Sequence, residues 1–218
     1  MTETPQRSRM WKSLQVLARV LTTILFDLKV YGRDNVPKHG GALLLSNHQS
    51  YLDPILLGVK LDRPVSYMAK SELFETKFLS WLIRSLHAFP VKRGSGDVGA
   101  IKEAIARLHQ GHILNMYPEG TRTEDGEIRQ ILPGVALVVK RAGVPIIPVV
   151  VDGSFHAWSR RQKMLRGYPV RVMYGPAMRV EGLKSDQVLA LIDRTLRDML
   201  SRLREQERRR CPKPTCAN

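Results

Sequence analysis

Residues 42–54 read ALLLSNHQSYLDP and place a polar, chemically reactive turn between an apolar run and a proline. The largely apolar run at residues 42–46 is typical of a strand that is covered on both faces of a sheet. Pro54 indicates the start of a helix, because proline favours the first helical position and Asp53 favours the cap before it. The stretch therefore predicts a strand–turn–helix unit whose turn carries the functional groups.

Similar apolar runs alternate with helical patterns along the rest of the chain. The predicted strands cover residues 42–46, 65–69, 112–117, 145–151 and 169–174, and the predicted helices cover residues 54–59, 72–86, 98–109, 135–141 and 185–208. Apolar strands that alternate with helices are typical of an α/β fold. We expect a single domain with a mixed, largely parallel central sheet covered by helices on both faces.

The N-terminal segment has its own pattern. Between Met10 and Leu28 the apolar residues recur at helical spacing, which predicts an amphipathic helix that is too charged to span a bilayer. Such a helix either lies in the membrane interface or packs on the domain. We expect residues 1–28 to form a tail and a membrane-interface helix, residues 29–208 to form the main domain, and residues 209–218 to form a flexible basic tail.

Charge and cysteine usage narrow the class of protein. The 218 residues include 35 Lys and Arg against 20 Asp and Glu, a net charge of +15, which favours nucleic acid, an anionic membrane or a phosphorylated small molecule as a partner. Both cysteines, Cys211 and Cys216, lie in the last eight residues, so the core is not built on disulfides. No secretory signal is expected, and the chain is expected to face the cytosol.

The first site candidate is the pair His48 and Asp53. On a regular helix two residues five apart are separated by about 140°, so the side chains can meet only if His48 lies in the turn and Asp53 begins the helix. A carboxylate that holds one ring nitrogen of histidine makes the other nitrogen a base. The alternative is that Asp53 is only a helix cap.

The second candidate is residues 117–122, YPEGTR, at the end of a predicted strand. Gly120 allows close approach of a ligand to the backbone, and the planar guanidinium of Arg122 suits a bidentate phosphate contact. Glu119 could orient Arg122 or accept a substrate hydroxyl. The alternative is a strand-end turn with an ordinary surface Glu–Arg pair.

Two further blocks follow apolar patterns. Residues 89–94, FPVKRG, place two cations and a glycine after a strand end, which suits either a phosphate pocket or a solvated basic turn. Residues 144–149, VPIIPV, are restricted by their prolines to extended backbone, as in a core strand. His109 and His112 have no evident third ligand, so no metal site is expected.

Together these blocks resemble the glycerolipid acyltransferase family of the bacterial 1-acylglycerol-3-phosphate acyltransferase type. The resemblance covers about residues 30–180, and its motifs occur in the order that the family shows. The N-H-x-x-x-x-D block matches Asn47, His48 and Asp53, the arginine after an apolar strand matches Arg93, P-E-G-T-R matches residues 118–122, and V-P-I-x-P-V matches residues 144–149. Tyr117 stands where the family usually has phenylalanine.

The resemblance implies a mechanism. His48, held by Asp53, would take a proton from a glycerol hydroxyl, which attacks the thioester of acyl-CoA or acyl carrier protein without an acyl-enzyme. Lys70 is a candidate contact to the oxyanion or the acyl donor. The residues implied in binding the acceptor phosphate are Arg93, Glu119, Gly120, Thr121 and Arg122.

The implied activity is transfer of an acyl group to 1-acylglycerol 3-phosphate. The expected partners are a lysophospholipid acceptor, an acyl-CoA or acyl carrier protein donor and an anionic membrane surface, with no cofactor besides the donor. The expected location is the cytoplasmic face of the inner membrane, as a peripheral or monotopic protein. The alternatives are a different acceptor, namely glycerol 3-phosphate, another lysophospholipid or a lyso-aminolipid. A non-catalytic basic module is a further alternative, although nucleic-acid signatures are absent from the sequence.

Overall fold

The computed structural model describes residues 9–85, 87–91 and 98–210. The helices are α1 Arg9–Phe26, α2 Asp53–Gly58, α3 Lys77–Ser85, α4 Val98–His109, α5 Gly134–Ala142, α6 Ser154–Trp158 and α7 Ser185–Arg210. The strands are β1 Lys29–Tyr31, β2 Ala42–Ser46, β3 Val65–Lys70, β4 Ala88–Val91, β5 Ile113–Met116, β6 Ile146–Asp152 and β7 Arg171–Tyr174. Short 3-10 turns cover Arg33–Asn35 and Ser71–Phe74.

The seven strands form one sheet in the order β1-β7-β6-β2-β5-β3-β4. All neighbours are parallel except β6 and β7, which run antiparallel. The predicted α/β class and the largely parallel, mixed sheet are therefore confirmed. Since β2 lies in the centre between β5 and β6, the carboxyl ends of these three strands meet at one edge of the sheet, where ligands bind in parallel α/β sheets.

Both faces of the central strand are buried. Leu43 and Leu45 of β2 pack into a core with α4, α5 and α7, whereas Ala42 and Leu44 pack into a second core with α1, α2 and α6. Alternate side chains of a strand point to opposite faces, so a strand between two helical layers must be apolar on both. This arrangement explains the continuous apolar run of residues 42–46.

The N-terminal helix α1 packs on the domain through its polar side. Gln15 Nε2 donates a hydrogen bond of 2.7 Å to the carbonyl oxygen of Leu61, and Arg19 Nε donates one of 2.7 Å to that of Val59. The apolar side faces outward, with Leu17 55% and Ile24 75% exposed. No helix in the described ranges is long and apolar enough to cross a membrane.

The end of α1 is part of the domain core. Phe26 and Leu28 are 3% and 5% exposed and pack in the core on the α2 side of the sheet. The predicted boundary at residue 28 therefore lies next to side chains that are packed in the core, and the division into residues 1–28 and 29–208 stays a prediction.

Several element bounds differ from the sequence prediction. The pattern of residues 72–86 contains a 3-10 turn before α3 begins at Lys77. Helix α7 continues through Arg210, so the predicted tail of residues 209–218 begins inside a helix, and its two cysteines lie outside the described residues. The sequence pattern does not predict the three-residue strand β1 or the five-residue helix α6, because such short elements have little periodicity.

Candidate active site

The loops that follow β2, β5 and β6 bring the site together. His48 lies in the turn after β2, Glu119 lies in the turn after β5, and Ser154 begins α6 after β6. The Asn47 side chain joins the turn after β2 to strand β6, because its Nδ2 donates to the carbonyl oxygen of Val151 at 2.9 Å and its Oδ1 accepts from the Val151 amide at 2.8 Å. The central strand end is thereby fixed to its neighbour.

The predicted pair of His48 and Asp53 is in contact. His48 Nδ1 lies 2.8 Å from Asp53 Oδ2, and the same oxygen accepts hydrogen bonds from the backbone amides of Gln49 at 2.7 Å and Ser50 at 2.8 Å. These donors all belong to the turn before α2. Asp53 therefore organises the turn and the imidazole. It is the first residue of α2 and Leu52 is the cap residue, so the alternative that Asp53 is only a helix cap is wrong.

The geometry defines the orientation of the imidazole of His48. A carboxylate accepts hydrogen bonds, so the neutral ring carries its proton on Nδ1 and its Nε2 is left as the basic nitrogen. Tyr117 stacks on the ring with a centroid distance of 3.7 Å and an interplanar angle of 14°. His48 is 8% exposed, so the base is nearly enclosed, as general bases in water-excluding sites are.

Ser154 completes the environment of the Asp53 carboxylate and was not found by sequence reasoning. Its hydroxyl donates a hydrogen bond of 2.7 Å to Asp53 Oδ1, across 101 residues of sequence. Both side chains are fully buried. No spacing rule relates residues so far apart, so the sequence gives no signal for this contact. The same short helix carries His156, whose ring lies against Phe155 and Tyr168.

Glu119 is arranged differently from the prediction. Its Oε1 accepts the backbone amide of His48 at 2.8 Å, and its Oε2 accepts the backbone amide of Arg129 at 2.7 Å. Burial raises the pKa of Glu119 to about 7, against the lowering effect of these two hydrogen bonds. The carboxylate thus positions the backbone of the histidine turn, and among the described residues it forms no ion pair with Arg122. A contact of Glu119 with the acceptor stays a prediction.

Gly120 is required by conformation and packing. Its φ of +69° lies in the left-handed region, and a Cβ at this position would lie 2.4 Å from Leu132 Cδ1. The Leu132 side chain therefore occupies the space that a Cβ at residue 120 would need. A contact between Gly120 and the acceptor stays a prediction. Thr121 follows in the same turn and is half-buried.

Arg122 is held flat against an aromatic ring. Its Cζ lies 3.5 Å from the centroid of the Tyr51 ring, a cation–π contact. Nη1 is buried and has no hydrogen-bond partner in the described part of the chain. A guanidinium that stacks by its face keeps its edge N–H groups available for hydrogen bonds in the plane, and a buried donor without a partner costs about 1–3 kcal/mol. An anion would satisfy this donor.

Two predicted contacts remain predictions. Arg93 lies outside the described residues. Lys70 ends β3 at the same edge of the sheet, where its Nζ pairs with Glu72 Oε1 at 2.7 Å and the side chain is half-exposed.

The matching of the chain to known families decides the class of enzyme. The sequence model of a family described as Acyltransferase matches residues 27–152, more than half of the chain. The chain belongs to this acyltransferase family. The matched segment contains His48, Asp53 and the turn at residues 117–122, and it ends two residues before Ser154.

Individual relatives of this acyltransferase fall into two groups by name. This chain is 32% identical over 146 residues to a 1-acyl-sn-glycerol-3-phosphate acyltransferase of Bacillus subtilis, and the alignment covers 66% of this chain and 72% of that protein. It is 31% identical over 150 residues to a lyso-ornithine lipid O-acyltransferase of Pseudomonas aeruginosa, with 68% of this chain and 55% of that protein covered.

The fold of the acyltransferase also matches a solved structure. The crystal structure of the 1-acyl-sn-glycerophosphate acyltransferase PlsC from Thermotoga maritima superposes with a TM-score of 0.76 at 23% identity, covering 91% of this chain and 84% of that chain. This likeness supports the α/β architecture described above.

Proposed function

We propose that this acyltransferase moves a fatty acyl group from acyl-CoA or acyl carrier protein to the sn-2 hydroxyl of 1-acylglycerol 3-phosphate, forming phosphatidic acid. The observation that carries the proposal is the contact of 2.8 Å between His48 Nδ1 and Asp53 Oδ2 at the carboxyl end of the central strand. The names of the Bacillus subtilis protein and of the Thermotoga maritima structure support the choice of acceptor.

The chemistry needs one base and no protein nucleophile. Nε2 of His48 takes the proton of the acceptor hydroxyl while the hydroxyl oxygen forms a bond to the thioester carbonyl carbon. The tetrahedral intermediate then collapses, the carbon–sulfur bond breaks, and the leaving thiolate takes the proton from Nε2. Asp53 stabilises the imidazolium between these steps, as the carboxylate does in related acid–base pairs.

Arg122 supplies the anion contact for the acceptor. Its guanidinium, stacked on Tyr51, has a buried donor that finds no partner among the described residues, which suits a phosphate group. Arg93 remains the second predicted phosphate ligand. The donor is a co-substrate, and no further cofactor is proposed.

The apolar side of α1 fits a lipid surface. Leu17, Leu21 and Ile24 are all exposed on a helix whose polar side is bonded to the domain. An exposed apolar stripe on a basic protein favours binding to an anionic membrane interface. We therefore place the enzyme peripherally on the cytoplasmic face of the inner membrane, where its lipid acceptor resides.

A second acceptor class is favoured by one observation. The relative from Pseudomonas aeruginosa is named for a lyso-ornithine lipid and is nearly as similar as the relative from Bacillus subtilis. The ornithine carboxylate could also accept from the buried donor of Arg122, but a phosphate offers the guanidinium more acceptor oxygens and more charge, so we keep the phosphate acceptor as the first proposal.

A panel of lysolipid acceptors tests the proposal. The purified full chain is incubated with one acyl-CoA and, in turn, with 1-acylglycerol 3-phosphate, glycerol 3-phosphate, a neutral lysophospholipid and a lyso-ornithine lipid, and the products are resolved by mass. We expect thiol release and phosphatidic acid formation, with the highest kcat/KM for 1-acylglycerol 3-phosphate, and no product from His48→Ala. Preference for lyso-ornithine lipid would reassign the acceptor. The panel is repeated with acyl carrier protein as donor, and no thiol release from either donor with any acceptor would refute acyl transfer.

A further inference from the structure

Residues 159–169, SRRQKMLRGYP, connect α6 to β7 and form what we name the α6–β7 loop. Met164 is 76% exposed and Leu165 is 45% exposed at its tip. Two adjacent exposed apolar side chains at a loop tip form a small apolar patch, and contact with another surface would remove this patch from water. The loop therefore has the composition of a contact surface rather than of an ordinary solvated turn.

The loop has a defined conformation. The Arg166 amide donates a hydrogen bond of 2.9 Å to the carbonyl oxygen of Ala157, which closes the base of the loop. Within it, the Ser159 amide donates to Gln162 Oε1 at 2.9 Å, and the Gln162 amide donates to the Ser159 carbonyl oxygen at 3.2 Å. These bonds hold the tip in an outward position.

Cations surround the apolar tip. Arg161 pairs with Glu124 at 2.9 Å, whereas Arg160, Lys163 and Arg166 form no ion pair with any described residue and are exposed. Three unpaired cations around two exposed apolar side chains are complementary to anionic lipid head groups above an apolar acyl layer. An acidic protein would match the cations alone and would leave the apolar tip in water.

The loop adjoins the last turn of α1. The Val170 amide donates a hydrogen bond of 2.8 Å to the Phe26 carbonyl oxygen. A Cβ atom built on Gly167 would lie 3.2 Å from the carbonyl oxygen of Leu25, so the two backbones are close here. Ile24 and Leu25 are exposed on this turn. The apolar surface of α1 thus lies next to the loop.

The loop is also connected to the acceptor site. Helix α6, which precedes it, begins at Ser154 beside Asp53 and ends at Trp158, whose ring contacts Tyr51 at a centroid distance of 5.4 Å. Tyr51 in turn carries the guanidinium of Arg122. A lipid surface at this loop would therefore lie beside the groups assigned to the acceptor head group.

We propose that the α6–β7 loop is a second membrane-binding element, which inserts Met164 and Leu165 into an anionic bilayer while Arg160, Lys163 and Arg166 contact the head groups. The inference rests on the proposed function, since it presumes an acceptor that resides in a membrane. It assigns the loop, in addition to α1, to the orientation of the active-site edge toward the lipid.

Flotation with vesicles of phosphatidylcholine, with and without phosphatidylglycerol, tests the loop. Met164→Ser with Leu165→Ser should weaken binding of the full chain by roughly tenfold or more on both vesicles, because apolar burial is lost. Arg160→Gln, Lys163→Gln and Arg166→Gln together should weaken it by about a hundredfold on anionic vesicles only, from about 1 kcal/mol per cation. Val98→Ser with Leu137→Ser, exposed apolar residues on α4 and α5, is the matched control and should bind normally.

Acyl transfer to a detergent-dispersed lysolipid separates this inference from the proposed function. The loop variants should keep their kcat in detergent and their thermal unfolding midpoint, because the altered side chains lie on the surface. If the loop variants lose vesicle binding and the wild type shows no acyl transfer, the loop proposal would be upheld and the proposed function refuted. Unchanged flotation of both variants would overturn the loop proposal. A loss of acyl transfer that appears only with acyl carrier protein as donor would overturn it too, because the cations would then bind that acidic partner.

Discussion

The Ser154 hydroxyl donates a hydrogen bond of 2.7 Å to Asp53 Oδ1, while Asp53 Oδ2 faces Nδ1 of His48 at 2.8 Å. The two oxygens of one carboxylate are thus held by groups from two different strand ends. Because rotation of the carboxylate would break the bond to Ser154, the hydroxyl fixes the direction in which Asp53 presents its other oxygen to the imidazole. Ser154 acts through Asp53 and is a positioning residue.

Ser154→Ala should lower kcat by about three- to tenfold with little change in either KM, because a bond of roughly 1 kcal/mol that orients the base is lost. Ser159→Ala, at a buried serine in the loop that follows α6, is the matched control and should leave kcat within about twofold. Steady-state kinetics with both substrates measures the change. An unaltered kcat in Ser154→Ala would show that Asp53 needs no second anchor.

His48→Ala should abolish acyl transfer, because positioned general bases contribute about 10²- to 10⁴-fold. Asp53→Asn should be milder or comparable, since the amide can present its NH₂ group to Nδ1 and so favour the wrong tautomer. His156→Ala, an exposed histidine in α6, is the control and should retain activity. Thiol release from acyl-CoA is the measurement, with circular dichroism to confirm folding. Activity above about a tenth of wild type in His48→Ala would refute the proposed mechanism.

Arg122→Ala should raise KM for the lysolipid by roughly ten- to a hundredfold, because a charge-assisted hydrogen bond contributes about 1.5–3 kcal/mol. Arg122→Lys should also be damaging, since an ammonium lacks the planar fork. Arg93→Ala should behave similarly, and Arg141→Ala, an exposed arginine at the end of α5, should not. Varying each substrate in turn decides the assignment, because a rise confined to KM for acyl-CoA would place these arginines on the donor.

The stacking of Arg122 on Tyr51 allows a second test of the prediction that Arg122 binds the acceptor. Tyr51→Phe keeps the ring and should leave KM for the lysolipid unchanged, whereas Tyr51→Ala should raise it by about two- to thirtyfold through loss of the cation–π contact. Equal effects of the two variants would exclude the stacking as the cause.

Glu119 should make stability depend on pH. Its pKa of about 7 in the folded protein exceeds its ordinary value of 4.5, so the folded state binds more protons than the unfolded state between these values. The free energy of unfolding of the wild type, relative to Glu119→Gln, should therefore fall as pH rises, by about 2–3 kcal/mol from pH 5 to pH 8. Urea unfolding at the two pH values measures it. A difference that is constant or grows with pH would contradict a raised pKa.

Leu17→Glu with Leu21→Glu should release the enzyme from anionic vesicles, because both side chains are exposed on the apolar side of α1 and charge prevents their insertion. High salt should weaken binding of the wild type, since the attraction to anionic lipid is screened. Substitution is preferable to removal of residues 1–28, which would take Phe26 and Leu28 out of the core. Flotation that neither treatment alters would exclude α1 as the membrane contact.

Local sequence determined much of this protein. The alternation of apolar strands and helices predicts the α/β fold, since a strand between two helical layers must be apolar on both faces. The contact between His48 and Asp53 was also predictable, because the two residues lie within one short turn and a proline marks where the helix begins. The family was identified for the same reason, because each of the four ordered blocks that carry the resemblance is a short contiguous stretch.

Contacts between residues that are far apart in the sequence were decided only by the tertiary structure. The carboxylate of Glu119 bonds to the backbone of the histidine turn, and Ser154 reaches Asp53 across 101 residues, because the sheet order brings three strand ends together. Helical spacing predicted an amphipathic α1 but not which side packs inward. That side was decided by the carbonyl oxygens after α2, which accept hydrogen bonds from Gln15 and Arg19 and so turn the apolar side outward. Such long-range pairings depend on the path of the chain in space, which residue spacing does not encode.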